Sequence, residues 1–159
     1  MSIRRSINVQ INIIAVGRLK DSPEKELCER YLTRMHPNPV IKEVEERRNL
    51  EDEVLIKREG ELIMASCSPN SKIIAMDETG IHWNSQELAS KILNAQQNTK
   101  TIDFLIGGHN GLSKNILDKA DTILALGRFT WPHMMARVMI LEQLYRAQKI
   151  IAGHPYHRK

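Results

Sequence analysis

Glycines 107, 108 and 111 fall in the stretch FLIGGHNGLSK, residues 104–114, where an apolar run ends abruptly. Glycines so placed let backbone come very close to a ligand, and Ser113 is suited to capping a short helix behind them. The stretch lacks the Lys-Ser/Thr pair of a phosphate-binding P-loop, and its spacing is not the dinucleotide fingerprint. Read alone, it is as well explained as a turn joining strand to helix. A second stretch, LGRFTWPHMM at 126–135, shifts the balance. It too follows an apolar run, carries a glycine, aromatics and a proline, and opens a helix at His133. Backbone amides in such loops can read the edge of an adenine without a charged side chain.

Two further groups carry chemistry. The long helical pattern HMMARVMILEQLYRAQKI places Met134, Val138, Leu141, Leu144 and Tyr145 on one face. Arg137 falls inside that face. An inward arginine needs an anion or a polar cavity, because an unpaired buried charge is costly. It either pairs with a carboxylate of its own chain, meets a substrate, or lines a dimer interface. The terminal GHPYHRK holds His154, Tyr156, His157, Arg158 and Lys159. Terminal tails are usually mobile, yet these are groups that stack on bases, hold phosphates and move protons. Two histidines without other ligands do not make a metal site, so no metal is expected.

The elements that must position these groups follow from periodicity. Apolar, alternating runs predict strands at 8–17, 39–46, 72–77, 101–106 and 121–126, the third closed by a turn at Gly80. Ser22 and Pro23 open a helix with Leu27, Tyr31 and Met35 on one face. A charged helix is expected over 51–65, and Asn84 with Glu87 predicts a capped helix to Ile92 or Leu93. The longest helix spans 133–150. Strands alternating with helices predict an α/β fold with a mainly parallel sheet. Ligands of such sheets bind at the carboxyl ends of the strands, here Asp77, the 107–111 loop and the 127–132 loop.

Composition sets the outer limits. At 159 residues the chain reads as one domain, with 23 Lys+Arg against 19 Asp+Glu and a net charge of +4. That mild basicity permits a polyanionic partner without demanding one, and it gathers near the C-terminus, with no acid after Glu142. The mixed-charge middle, IKEVEERRNLEDEVLIKREGE, reads as solvated surface. Cys28 and Cys67 match no metal spacing and read as small buried hydrophobes. No apolar run reaches a membrane span and no signal peptide is evident, so a cytoplasmic protein with no membrane partner is expected.

Taken together, FLIGGHNGL, FTWPHMMARVMILEQLYRAQKI and GHPYH resemble the ribosomal RNA large subunit methyltransferase H family, of the SPOUT class of S-adenosylmethionine-dependent RNA methyltransferases. The resemblance runs from NIIAVGRLK to the tail. MSIRRSI extends beyond the family's usual start, so residues 1–7 are expected to be a flexible extension, and His109-Asn110 sits where members vary. The resemblance implies a SPOUT-type α/β domain whose C-terminal segment threads a trefoil knot, which sequence periodicity could not have indicated. It implies S-adenosyl-L-methionine held by Met76, Gly107, Gly108 and the run Leu126, Gly127, Arg128, Phe129, Thr130 and Trp131. The implied reaction is methylation of N3 of a pseudouridine in 23S rRNA, on the assembled 70S ribosome, by a homodimer. N3 must lose a proton to attack, so a base or a cation favouring the anion is needed. Arg146, Tyr156 and His157 are the candidates, with Arg137, His154 and Arg158 placed toward RNA. Rival readings are a SPOUT enzyme for another rRNA or tRNA site, an inactive ribosome-binding protein, and a phosphate binder built on Gly107–Gly111.

Overall fold

In a computed structural model that describes residues 5–157, five strands and five helices alternate along the chain. The strands are β1 (Gln10–Val16), β2 (Val40–Val44), β3 (Lys72–His82), β4 (Thr101–Ile106) and β5 (Thr122–Ala125). The helices are α1 (Pro23–Leu32), α2 (Asp52–Ser66), α3 (Ser85–Ala95), α4 (Lys114–Lys119) and α5 (His133–Ile151). All strand pairings are parallel, in the order β2-β1-β4-β3-β5. The α/β architecture is therefore the expected one.

Local chemistry explains most boundaries. Ser22 accepts a hydrogen bond from the Lys25 amide and Pro23 opens the first turn of α1. Asn84 and Glu87 form a reciprocal capping box on α3. Ser113 caps α4 through the Ile116 amide. Met35 lies past the end of α1 but is fully buried all the same.

The sheet is covered on both faces. Ile13 and Ile14, neighbours on β1 pointing opposite ways, are both fully buried. One face packs Ile13, Ile102 and Phe104 under α1, α3 and α5, while the other packs Ile14, Ala75 and Leu105 under α2 and α4. Ile7, expected within a flexible extension, is only 5% exposed and belongs to the first of these cores. One polar contact interrupts the central strands. Asn12 and Asp103 are cross-strand partners, and the Asn12 Nδ2 donates to Asp103 Oδ1 at 2.8 Å. The other Asp103 oxygen accepts from the Ser68 amide at 2.8 Å, so the network is satisfied and pins the register.

The turn expected at Gly80 is an excursion within a longer strand. β3 pairs with β5 through Met76, leaves the ladder over residues 77–80, and rejoins it at Ile81 opposite Leu124. A Cβ at Gly80 would lie 2.6 Å from the Ile123 carbonyl carbon. Glycine is required there because backbone meets backbone.

Candidate functional site

The excursion within β3 and the carboxyl ends of β4 and β5 converge on one cleft of about 470 Å³, a size usual for small-molecule sites. Apolar walls come from Met76, Ile106, Leu124 and Leu126, and polar ones from Asp77, Glu78, Thr79 and the loop Gly107–Gly111. Each loop is fixed locally. Thr79 bonds Asp77 through its amide and its hydroxyl, at 2.9 and 2.6 Å. The Thr130 hydroxyl donates to Glu78 at 2.6 Å, joining the loop after β5 to the β3 excursion. Trp131 Nε1 donates to the Leu126 carbonyl at 2.9 Å, closing the second loop on itself. The glycine loop turns tightly, with the Gly111 amide bonded to the Gly108 carbonyl at 3.0 Å. A Cβ at Gly107 would meet Gly111 backbone at 2.5 Å, and Asn110 ties the loop to Asp52 of α2 at 3.0 Å.

Of the residues expected to hold a methyl donor, Met76, Gly107, Gly108, Leu126, Phe129, Thr130 and Trp131 all border this cleft. Gly127 instead borders a neighbouring hollow of about 560 Å³ beside α5, and Arg128 is exposed and borders neither. Phe129 is 78% exposed at the rim and meets Trp131 edge to face, ring centres 6.2 Å apart. Sequence reasoning placed Asp77 and the loop that holds His109 at the site, but missed Glu78 and His133 as lining. Their position beside Asp77 and at the helix start was the available signal. Burial, then Arg137, then His109 push the His133 imidazole below its ordinary value, favouring the neutral ring.

The three expected catalytic residues meet one another, but not at the cleft. Arg146 donates to Glu142 Oε1 at 2.6 and 3.1 Å, and the Tyr156 hydroxyl donates to the same oxygen at 3.2 Å. The Arg146 guanidinium lies over the Tyr156 ring at 4.9 Å and its Nη1 is 3.5 Å from His157 Nδ1. Glu142 is thus the hub, and its i,i+4 spacing from Arg146 was legible in sequence. Burial and the Glu142 carboxylate raise the Tyr156 phenol above its ordinary value, and the bonds to Glu142 raise Arg146. Both Arg146 and Tyr156 therefore hold their protons firmly in this arrangement.

Arg137, expected toward RNA or an interface, is fully buried instead. Its Nη1 donates to Glu43 at 2.6 Å and its Nη2 to the carbonyls of Val16 and Gly17 at 3.3 and 3.2 Å. The intrachain carboxylate supplies the anion that an inward arginine needs, leaving no surface for nucleic acid. His154 is exposed and accepts the Tyr156 amide at Nδ1, 3.1 Å away. Arg158 lies outside the described residues. Among those residues no helix is long and apolar enough to cross a membrane, and no three metal-ligating side chains cluster.

The chain can be set beside known proteins. A family model described as "Predicted SPOUT methyltransferase" matches residues 9–157. A protein of Paramagnetospirillum magneticum named ribosomal RNA large subunit methyltransferase H is 41% identical over 94% of this chain and 99% of its own length. A protein of the same name from Rhodospirillum rubrum is 42% identical, with the same coverage of both chains. Among solved structures, a probable methylase family protein from Haemophilus influenzae Rd KW20 superposes with a TM-score of 0.53 at 14% identity, covering 96% of this chain and 71% of that one. The structural likeness concerns the fold. The sequence matches reach further, since both glycine-bearing loops of the cleft and the α5–tail cluster fall inside the matched span, and they establish that the chain belongs to the SPOUT methyltransferase family, with the ribosomal RNA large subunit methyltransferases H as its relatives.

Proposed function

We propose that this protein methylates N3 of a pseudouridine in 23S rRNA, using S-adenosyl-L-methionine, on assembled 70S ribosomes in the cytoplasm. The observation that carries the reading is the cleft. Two loops in which glycine is needed, together with apolar walls and no lysine or arginine lining among the described residues, suit a flat purine nucleoside better than a phosphate. This fit also disfavours the phosphate-binding alternative. When bound, the donor supplies an electrophilic methyl group on a sulfonium. The chain's own residues then have to orient the target base and manage the N3 proton.

Orientation is the larger task, since methyl transfer is an in-line displacement and positioning supplies much of its rate. Exposed Phe129 offers the rim a stacking surface. For the proton, Arg146 stabilises the anion that N3 becomes, while His157 is the acceptor beside it. Tyr156 holds the guanidinium against Glu142. None of these three borders the cleft of its own chain. That separation supports a homodimer in which the tail of one copy completes the cleft of the other. His154 and Arg158 would then lie toward RNA. The knotted threading implied by the family belongs to the same proposal, as does a single domain over the whole chain.

The test uses tritiated donor with ribosomes from cells lacking the gene. Assembled 70S particles and naked 23S rRNA are compared, and the labelled nucleotide is mapped. Label on one pseudouridine in 70S particles alone is the expected result. Label on another RNA would redirect the reading to a different SPOUT substrate. Donor binding with no label on any RNA would leave an inactive binding protein.

A further inference from the structure

Behind the glycine loop lies a smaller cavity of about 260 Å³ that the proposed reaction does not use. It shares Gly108, His109 and His133 with the cleft, so the two compartments meet across the loop. Its inner wall carries Glu59, on α2. That carboxylate is only 7% exposed, and its Oε2 has no hydrogen-bond partner among the described residues. A buried carboxylate without a partner is costly unless a cation or donor arrives to compensate it.

The neighbouring charges do not supply that partner. Arg48 is engaged by Glu46 through both its Nε and Nη2, at 3.0 and 3.1 Å. Glu46 also takes Arg58, and Glu45 is paired with Arg18 and Arg47. His133 favours its neutral form. Burial raises the Glu59 carboxyl above its ordinary value, with His109 opposing. Glu59 is therefore the acid of this cavity whose second oxygen stays open.

Its placement is rigid. A Cβ at the adjacent Gly60 would lie 2.8 Å from the Ser113 Oγ, so α2 sits hard against the cap of α4. A Cβ at Gly108 would lie 3.3 and 3.4 Å from the two Glu59 oxygens. The glycine thus leaves the carboxylate open to whatever passes the loop. Among the described residues no trio of ligating side chains suits a metal ion here.

We propose that Glu59 receives an ammonium group, namely that of the amino-acid end of the methyl donor, reaching past Gly108 from the cleft. This rests on the donor reading above. Two joined compartments, one apolar and broad, the other small and acidic, match a two-part ligand with a nucleoside and a zwitterionic tail. The ammonium has three donors to offer, and the open Oε2 is a ready acceptor.

Calorimetric titration of the full-length protein tests this with three ligands. S-adenosylhomocysteine carries the ammonium without the sulfonium charge, its deaminated analogue lacks only the amine, and 5′-methylthioadenosine lacks the whole tail. In the wild type, loss of the amine should weaken binding by about thirtyfold or more, as for loss of one partner from a buried charge pair. In Glu59→Gln that difference should shrink to about twofold, while 5′-methylthioadenosine binds as it does to the wild type. Equal wild-type affinity for the first two ligands overturns the proposal without touching the donor reading, and so does a full difference retained in Glu59→Gln. If the wild type binds none of the three, the donor reading falls and takes this proposal with it. The wild-type comparison needs no variant, so it decides the matter even if the substitution unfolds the chain.

Discussion

Arg137 Nη1 and Glu43 Oε2 meet at 2.6 Å across 94 residues of chain. The same carboxylate oxygen accepts the Leu19 amide at 2.8 Å. Arg137 also holds the carbonyls of Val16 and Gly17. One guanidinium thus ties α5 to the ends of β1 and β2, immediately behind His133 at the cleft wall.

Glu43→Gln should leave that enclosed cation poorly compensated and cost about 2 kcal/mol of stability, read from urea denaturation. Arg137→Met combined with Glu43→Gln should recover much of the loss, because it removes the stranded charge. If the double variant is as unstable as the sum of the singles, the pair is not coupled.

Gly80→Ala should be far more damaging than its size implies. The new methyl would lie 2.6 Å from both the carbon and the oxygen of the Ile123 carbonyl, forcing β3 and β5 apart. A loss on the order of 2 to 3 kcal/mol in thermal unfolding is expected. Gly111→Asn is the contrast. Its φ of +78° is tolerated by asparagine and nothing lies within 4 Å, so little should change.

Acid should weaken the fold through His133. Its folded pKa lies below the ordinary 6.5, so the unfolded chain takes up the proton first. The stabilising contribution is complete above that ordinary value and declines as the pH falls through and below it. Urea midpoints between about pH 7.5 and pH 5 should therefore fall less in His133→Gln than in the wild type.

Arg146→Ala and Tyr156→Phe should separate chemistry from donor binding. Turnover on ribosomes should drop, by on the order of a hundredfold for the arginine, while donor affinity measured by calorimetry stays within about threefold. An equal collapse of donor affinity would show that the cluster holds the donor instead.

Glu142→Gln should let the Tyr156 phenol titrate at lower pH, since the carboxylate beside it opposes the phenolate. Ultraviolet titration, with Tyr156→Phe subtracted to remove Tyr31 and Tyr145, reads this directly. No movement would show that burial alone raises the phenol.

Strand β4 was legible because TIDFLI is mainly apolar between Lys100 and Gly107, whereas its register is pinned by Asp103 meeting Asn12, a partner the pattern does not show. The loops of the cleft were legible for the same reason: strands stop where glycine begins. What sequence hid depends on distant partners. Gly80 reads as a turn, yet its role is set by Ile123 backbone on another strand. Glu59 lies in a stretch that reads as solvated surface, and only the approach of Gly60 to Ser113 turns it inward. Arg137 was plainly anomalous on its helix, but periodicity cannot choose a carboxylate 94 residues away. Gly127 and Arg128 share a loop with Phe129, Thr130 and Trp131, but their position along the turn directs them elsewhere.

The sheet order has a consequence for how the protein comes to exist. Strand β4 lies between β1 and β3, and Asn12 finds Asp103 only across 91 residues. During synthesis, β1 emerges long before β4, the strand that joins it to β3, and β3 itself only shortly before. Until then only β1 and β2 can pair, and Ile11, Ile13, Ile74 and Ala75 lack the complete sheet and its helices to cover them. Pairings this distant in sequence form slowly and leave apolar edges open in the meantime. A nascent chain stopped near residue 100 should therefore be a strong client for chaperones, and one stopped near residue 130, with β5 in place, a weaker one.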